Sequence, residues 1–558
     1  MNNKFPALAA VLACCLSSCV EVNDEIGGNF IADNLKYTLV SNQTVMLDVE
    51  NVPADSLSGF SSNWATIGAI RDKELGLTTR ATALYLVPIH DTLDFGVDPV
   101  INRMHLAMAL DSVSVADESQ RHILQNVNVY SLKKAIDPKY TYDCNMDFRD
   151  MVDTTHVITK TSPVINGKDS LSFDFTKEYA SQFLSITQED LKDIKKYREK
   201  VKGFYINTDI PSDNSGRINM FKVQLGFDAQ YFYLSGNYAS LKVTSTFDGV
   251  RKDTSYFFYL SPSSIYDIDS LLLNTSVGNL PQYAFNLTQQ QEDKPRRTSS
   301  QELCVEGGGG LKPRILAKGL KKQVRDMIEA KGYNPDKVVL TKASLTFNYE
   351  APDAKYEGLA RFPYILSPTV RLHVKDTTDG VTVKKVVYQG ITDSSSESEN
   401  QGNVNYSLQN YAPDITYHLQ EIISTPDSLI DRGDYDIWLL IMAYRTTVVT
   451  NSEANEMSDL YSAMAYQQYY NNMYGGYGGY GGYGYGGYGY GGYGYDPYSN
   501  YYSYMMMSQM YSQSATSSQV SVELDRDRFY KAYLCGPGHH DENLRPRLVF
   551  SYAIPNSY

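Results

Sequence analysis

Short apolar stretches, stopped by Asp, Gly or Pro and in places alternating with polar residues, recur from residue 36 onward and constrain this chain more than any other feature. They fall at residues 83–89, 104–110, 113–115 and 127–132, again at 204–206, 220–225, 231–234, 241–246 and 256–260, and later at 338–349, 369–374, 381–388, 437–444 and 547–552. A period of two buries one face of a strand and wets the other, and such close spacing suits hairpins better than crossover helices. Residues 36–49 alternate in the same way, whereas Gly59, Gly68 and Gly76 mark a loop-rich stretch.

Two helices interrupt the pattern. Thr187 and Asp190 make a capping-box-like pair ahead of Leu191, Ile194 and Val201, with Gly203 as the stop. Leu316, Leu320, Val324 and Ile328 share one face of the second, which ends at Gly332 with Pro335 just beyond. Its other face carries Lys318, Lys321, Lys322 and Arg325, read as a solvated face, with phosphate or lipid binding as the sharper alternative. Ile101-Asn102-Arg103-Met104-His105-Leu106 rhymes weakly with Leu340-Thr341-Lys342-Ala343-Ser344-Leu345, and residues 289–300 are polar. The expected fold is mainly β: two jelly-roll-like antiparallel β-sandwich domains with a few short helices, at residues 36–300 and 301–558.

The N-terminus carries an address. Lys4 precedes an apolar segment, residues 5–16, that is too short to span a bilayer, and small residues lead to Leu16-Ser17-Ser18-Cys19. This resembles the bacterial lipobox, so residues 1–18 are expected to be a signal peptide and Cys19 the lipid attachment site. More than one acyl chain makes such an anchor stable. In the tether, residues 19–35, Glu21, Asp24 and Glu25 form an acidic cluster, either a solvated linker or, by resemblance, the signal that sends Bacteroidota lipoproteins to the outer leaflet of the outer membrane. The expected location is therefore the outer membrane, facing the exterior.

A net charge of -14 argues against nucleic acid, whose phosphates need a positive surface. Beyond the signal and the anchor, Cys144, Cys304 and Cys535 remain. One disulfide with a spare thiol and three buried thiols are both open.

The segment at about 452–518 is the oddest. From Tyr474 to Tyr495 every residue is Tyr or Gly, and Met505, Met506, Met507 and Met510 follow. Glycine at this density costs too much backbone entropy for a helix or a stable strand. A disordered surface loop is expected, with an end-to-end distance of roughly 45 Å for a Gly-rich coil of about 67 residues. Evenly spaced tyrosines would suit it as a multivalent contact surface. A neutral low-complexity expansion is the plain alternative.

Chemistry is sparse. Among the eight histidines none has a metal-ligand spacing, and the best local cluster, His539-His540-Asp541-Glu542 after Gly536-Pro537-Gly538, reads as a polar hairpin turn, with metal binding as the sharper alternative. Gly307 to Gly310 lacks the Lys-Ser/Thr of a phosphate loop, no Gly-x-Ser-x-Gly elbow occurs, and Asp209 and Asp213 near Gly216 read as a turn. No catalytic residues, metal or cofactor are therefore expected. Arg432-Gly433-Asp434 matches an integrin-binding tripeptide but also reads as the turn before the strand at 437. Asp followed by Ser or Thr and an apolar residue recurs at Ser56, Thr92, Ser112, Ser170, Ser270 and Ser428, which resemble O-glycosylation sites of exported Bacteroidota proteins. Asp-Ser also starts turns for local reasons.

Taken in order, the lipobox, Gly68 to Gly76 with Arg71-Asp72, Asp111-Ser112-Val113, Lys202-Gly203-Phe204-Tyr205-Ile206, Glu306 to Leu311, residues 415–423 and Arg545-Pro546-Arg547-Leu548-Val549-Phe550 resemble the Bacteroidota lipoprotein family catalogued as domain of unknown function 4270. The resemblance implies an outer-membrane surface lipoprotein and supplies no catalytic residues. The function expected is a non-enzymatic binding or scaffold module with a protein partner at the cell surface, an accessory subunit of an assembly or export complex. The alternative is a glycan-binding or adhesive protein, though Trp64 and Trp438 are its only tryptophans.

Overall fold

The computed structural model describes residues 37–62, 64–137, 142–228, 233–262, 264–265, 282–291, 299–350, 362–378, 381–395, 402–449 and 517–555. The chain is mainly β, with antiparallel sheets and a few short helices. Two sheets of the first half face each other. One runs in the order Val152–Val157, Gln125–Leu132, Phe204–Thr208, Gly76–Leu84, Trp64–Asp72, Gly216–Lys222, Leu110–Val115, and the other in the order Leu171–Asp174, Val97–Met108, Tyr238–Phe247, Val250–Leu260, Leu86–Pro88. Val129, Phe204, Ile67 and Phe221 from the first meet Leu106, Phe173, Leu241 and Phe258 from the second in one core, which makes a sandwich.

The loop-rich reading of residues 59–76 is corrected here. Trp64–Asp72 and Gly76–Leu84 are paired strands inside the first sheet. Trp64–Asp72 is buried on both faces, so its apolar residues run on rather than alternate. Gly68 sits mid-strand at φ +149°, where a Cβ would lie 2.1 Å from the Arg217 carbonyl oxygen. Its glycine marks a close backbone approach, not a loop.

The second sandwich takes strands from both ends of the chain. Tyr37–Met46, Arg547–Pro555 and Val339–Asn348 are neighbours in one sheet, and Val49–Pro53, Leu311–Ile315, Ile437–Val449, Ile365–Thr378 and Val381–Gly390 follow one another in the other. Leu345, Phe550 and Tyr552 pack with Leu366, Leu439 and Ile441, and the buried faces of two helices, Ala317–Ala330 and Thr416–Ser424, complete that core. A division at residue 300 therefore does not separate the sheets, because the strands of residues 37–53 pair, among the described residues, with strands of the C-terminal half.

The expected helix after Thr187 is shorter and broken. Thr187 and Asp190 do exchange capping hydrogen bonds, but Asp193 re-caps the chain and the α-helix is Ile194–Lys200. The second helix forms as expected, and its basic face is neutralised in place: Lys318 pairs with Asp431, Lys321 with Asp427, Lys322 with Asp326 and Arg325 with Asp336.

Ile437–Val449 pairs with Ser517–Leu524 in an antiparallel ribbon whose last register pair is Val449 with Ser517. The low-complexity segment lies outside the described residues, yet the two residues flanking it are ladder partners. It leaves and re-enters the fold at one point, not as a spacer between separate bodies.

Candidate functional site

Three polar clusters stand out, and the largest lies between the sandwiches. The turn after Glu302–Glu306 is Gly307 to Gly310, and close approaches crowd it: a Cβ on Gly307 would meet the Arg528 carbonyl oxygen at 2.1 Å, one on Gly308, itself at φ +58°, the Arg80 guanidinium at 2.7 Å, and one on Gly310 Glu306 Oε2 at 2.2 Å. The carbonyls of Glu306, Gly308 and Gly310 all accept from Lys312 Nζ. Carbonyl oxygens, not amides, converge, so this glycine loop holds its own ammonium and is built against a phosphate. Burial pulls the Lys312 pKa down to about 8.

The segment just after the ribbon closes this seam. Asp527 accepts from Ser61 Oγ and Asn286 Nδ2, both at 3.1 Å, and burial pushes its carboxyl up. Asp525 accepts from Arg528 and Tyr530, Arg528 lies 5.1 Å over the Trp64 ring, and Lys531 pairs with Asp72 and Glu74. These bonds make the seam a clasp that ties the chain leaving the ribbon to the first sandwich, although the buried Arg80 Nε beside it makes no hydrogen bond.

The second cluster has the hydrogen-bond order of a nucleophilic trio. His105 Nδ1 lies 2.7 Å from Asp174 Oδ1, and Ser172 Oγ lies 3.2 Å from His105 Nε2. Its setting is wrong for acyl transfer, which needs free N–H donors aimed at an oxyanion. His105 faces Asp174 on one neighbouring strand and Ser240 on the other, so the ladder consumes the nearby amides. Asp174 is also held by Arg103. The second sandwich repeats the pattern: Arg371 pairs with Asp55, and His373 with Asp434 of the Arg432-Gly433-Asp434 turn, at 3.0 Å in both cases. Arg-x-His thus recurs on one strand of each half, meeting a single aspartate of the neighbouring strand in the first and two separate loop aspartates in the second.

The third cluster is at the far end of the second sandwich. Glu350, His539 and His540 place one ligand atom each within 4.8 Å of one another. Beside them lies a cavity of about 440 Å³ lined by Tyr349, Glu350, Leu408, Gln409 and Leu544. Asp541 and Glu542, the carboxylates adjacent in sequence, are engaged elsewhere: Asp541 caps the turn Glu542–Leu544, and Glu542 pairs with Arg545. The acid that meets the histidines comes from the end of a distant strand, so no spacing rule could have named it.

Of the residues singled out from sequence, Cys19, Glu21, Asp24, Glu25 and Ser270 lie outside the described residues. Thr92, Ser170 and Ser428 are exposed; Ser56, at φ +60°, and Ser112 are half-buried. The structure does not bring these hydroxyls together. Cys144, Cys304 and Cys535 are buried and form no disulfide among the described residues. Sequence reasoning missed Arg80, Lys312 and Glu350, although the alternating Asp525-Arg526-Asp527-Arg528 was a visible sign of the clasp.

No family model, curated protein or solved structure matches the chain.

Proposed function

We propose that this chain is a lipid-anchored scaffold of the outer-membrane surface, tethered through Cys19, that presents its Tyr/Gly/Met-rich segment to a protein partner. The observation that carries this reading is the register of the ribbon. Val449 and Ser517 are ladder partners, and the chain that follows is locked into the first sandwich through Asp527 and Lys531. Such a base fixes both ends of a long segment on a rigid body, as a display device requires. The segment then supplies reach and aromatic contact area without straining the sheets. The order of motifs from the lipobox to Arg545-Pro546-Arg547 supports the same family and the same location. We take the partner to be an outer-membrane assembly or export complex, of which this chain is an accessory subunit.

Fractionation and capture test it. Cys19→Ser should move the protein from the membrane to the soluble fraction. Capture from detergent-solubilised outer membranes should retain a stoichiometric partner with the intact chain and lose it when residues 474–495 are removed. A variant that stays membrane-bound, or an intact chain that is recovered alone, overturns the proposal. Direct binding on a glycan array, lost on changing surface tyrosines, would favour the adhesive alternative instead.

A further inference from the structure

We propose that Glu350, His539 and His540 bind one divalent transition-metal ion of the zinc type. The frame that brings them together is tightly specified. Gly536 and Gly538 donate to the carbonyls of Gln301 and Ser300, each at 2.7 Å, and any side chain at either glycine would collide with residues 300–302. This turn projects His539 inward, and Arg545 Nε holds its carbonyl at 2.8 Å. Asn348 Nδ2 donates to the Leu544 carbonyl at 3.1 Å, fastening the end of Val339–Asn348 to the same loop and setting Glu350 opposite His539.

The donors suit an ion better than they suit each other. His539 Nε2 and Glu350 Oε1 are 3.8 Å apart, too far for a hydrogen bond. Tetrahedral bonds of about 2.0–2.2 Å to a shared zinc put two donors roughly 3.4 Å apart, so a few tenths of an ångström of closure suffice for this pair, and the exposed His540 must swing in from within 4.8 Å to complete the set. Glu350 is exposed and at a strand end, which leaves it free to make that movement. His540 stands beside His539, ring centroids 4.3 Å apart, and offers a second imidazole.

The buried ring is held by its own turn. His539 Nδ1 lies 3.2 Å from both the carbonyl oxygen and the amide nitrogen of Asp541, and Nε2 is the nitrogen that faces Glu350. In the tautomer that accepts from the Asp541 amide the proton sits on Nε2; a metal at Nε2 requires the other tautomer, with Nδ1–H donated to the carbonyl, the backbone support that metal-bound histidines commonly receive. Two imidazoles and a carboxylate select zinc and its neighbours over calcium or magnesium, which prefer oxygen alone. Three protein donors leave a tetrahedral position open, and because Glu350 also lines the cavity, water or a small ligand can reach it from there.

The test uses the untagged full chain, stripped with chelator and titrated with Zn²⁺ against a chromophoric competitor. One Zn²⁺ per chain is expected, with an affinity at least tenfold weaker in His540→Ala and in Glu350→Gln and unchanged in His122→Ala, an exposed histidine elsewhere. Both altered positions are exposed, so metal-free melting temperatures should match the parent; Zn²⁺ should raise the parent's and leave that of His540→Ala unmoved. Millimolar Ca²⁺ or Mg²⁺ should do neither. The assignment fails if no stoichiometric Zn²⁺ binds at micromolar concentration, if binding survives both variants, or if it is lost only on Cys535→Ser.

Discussion

Arg217 in the first sandwich and Lys312 at the seam are both sealed from solvent, and each sets its charge against three main-chain carbonyls. They differ in where those carbonyls come from. Arg217 donates to Arg121, Ile123 and Ile165, all remote in sequence, whereas Lys312 donates to Glu306, Gly308 and Gly310, within six residues of itself. A planar guanidinium with five donors can fasten separate loops to one strand; a compact ammonium can only shape the turn beside it. The first is part of the topology of its sandwich. The second forms the local surface on which Arg80 and residues 525–531 seat.

The largest effect should come from breaking the first arrangement. Arg217→Met strands one buried and two half-buried carbonyls and the Asn219 side chain that accepts from Nε, and should cost about 3–5 kcal/mol in urea unfolding. Arg217→Lys should recover little, since one ammonium cannot reach both loops. A loss below about 1 kcal/mol would erase the distinction. Lys312→Met should cost less, about 2 kcal/mol, because the Gly310 carbonyl keeps a second donor in the Ala54 amide when the ammonium is gone. The same variant should loosen the seam, seen as faster amide exchange in residues 525–535 ahead of global unfolding.

His418 sharpens the comparison from the other side. It is as buried as the two cations but meets one carbonyl, that of Tyr435 at 3.0 Å, and burial pulls its pKa down to about 4. With too few carbonyls around it the ring stays neutral. The unfolded histidine takes up its proton near pH 6.5, so stability from this residue is present above that value and falls as pH drops toward 4, by up to roughly 3 kcal/mol. Glu421, with Oε2 3.9 Å from His418 Nδ1, is raised to about 7 by burial. Its sign is opposite: its contribution is present below the ordinary carboxylate range and is lost as pH rises through 7. Glu421 is more than a third exposed, so water weakens that contribution and the histidine should dominate. Melting temperature followed from pH 7 to 4 should fall less in His418→Gln than in the parent, and more in Glu421→Gln.

What sequence reveals here follows from how far its signals act. Half-buried strands such as Arg547–Pro555, with burial alternating residue by residue, were legible because period two is a local signal. Trp64–Asp72 was not, because both its faces are covered and Gly68 is needed for a contact with Arg217 that no local rule anticipates. The same limit hid the third cluster: His539 and His540 were visible, but Glu350 reaches them through a strand end almost 200 residues away. The clasp was half legible, since Asp525-Arg526-Asp527-Arg528 announces paired charges without saying that Ser61, Asn286 and Trp64 receive them.

The smallest effect on stability should come from the most conspicuous stretch of the chain. Because the ribbon is held by its ladder and by the clasp beyond it, the length of the intervening segment enters the folding free energy only through loop closure, which grows as the logarithm of length. Removing residues 474–495 shortens the segment by about a third and should change stability by only about 0.4 kcal/mol, in the stabilising direction. Arg217→Met, which alters a single side chain, should therefore outweigh the loss of the whole Tyr/Gly run about tenfold. Matched urea titrations of the two variants decide the point. If the deletion costs more than about 1 kcal/mol, the tyrosines pack on the body and belong to the fold; if it is neutral while partner capture disappears, they are displayed by a scaffold that stands without them.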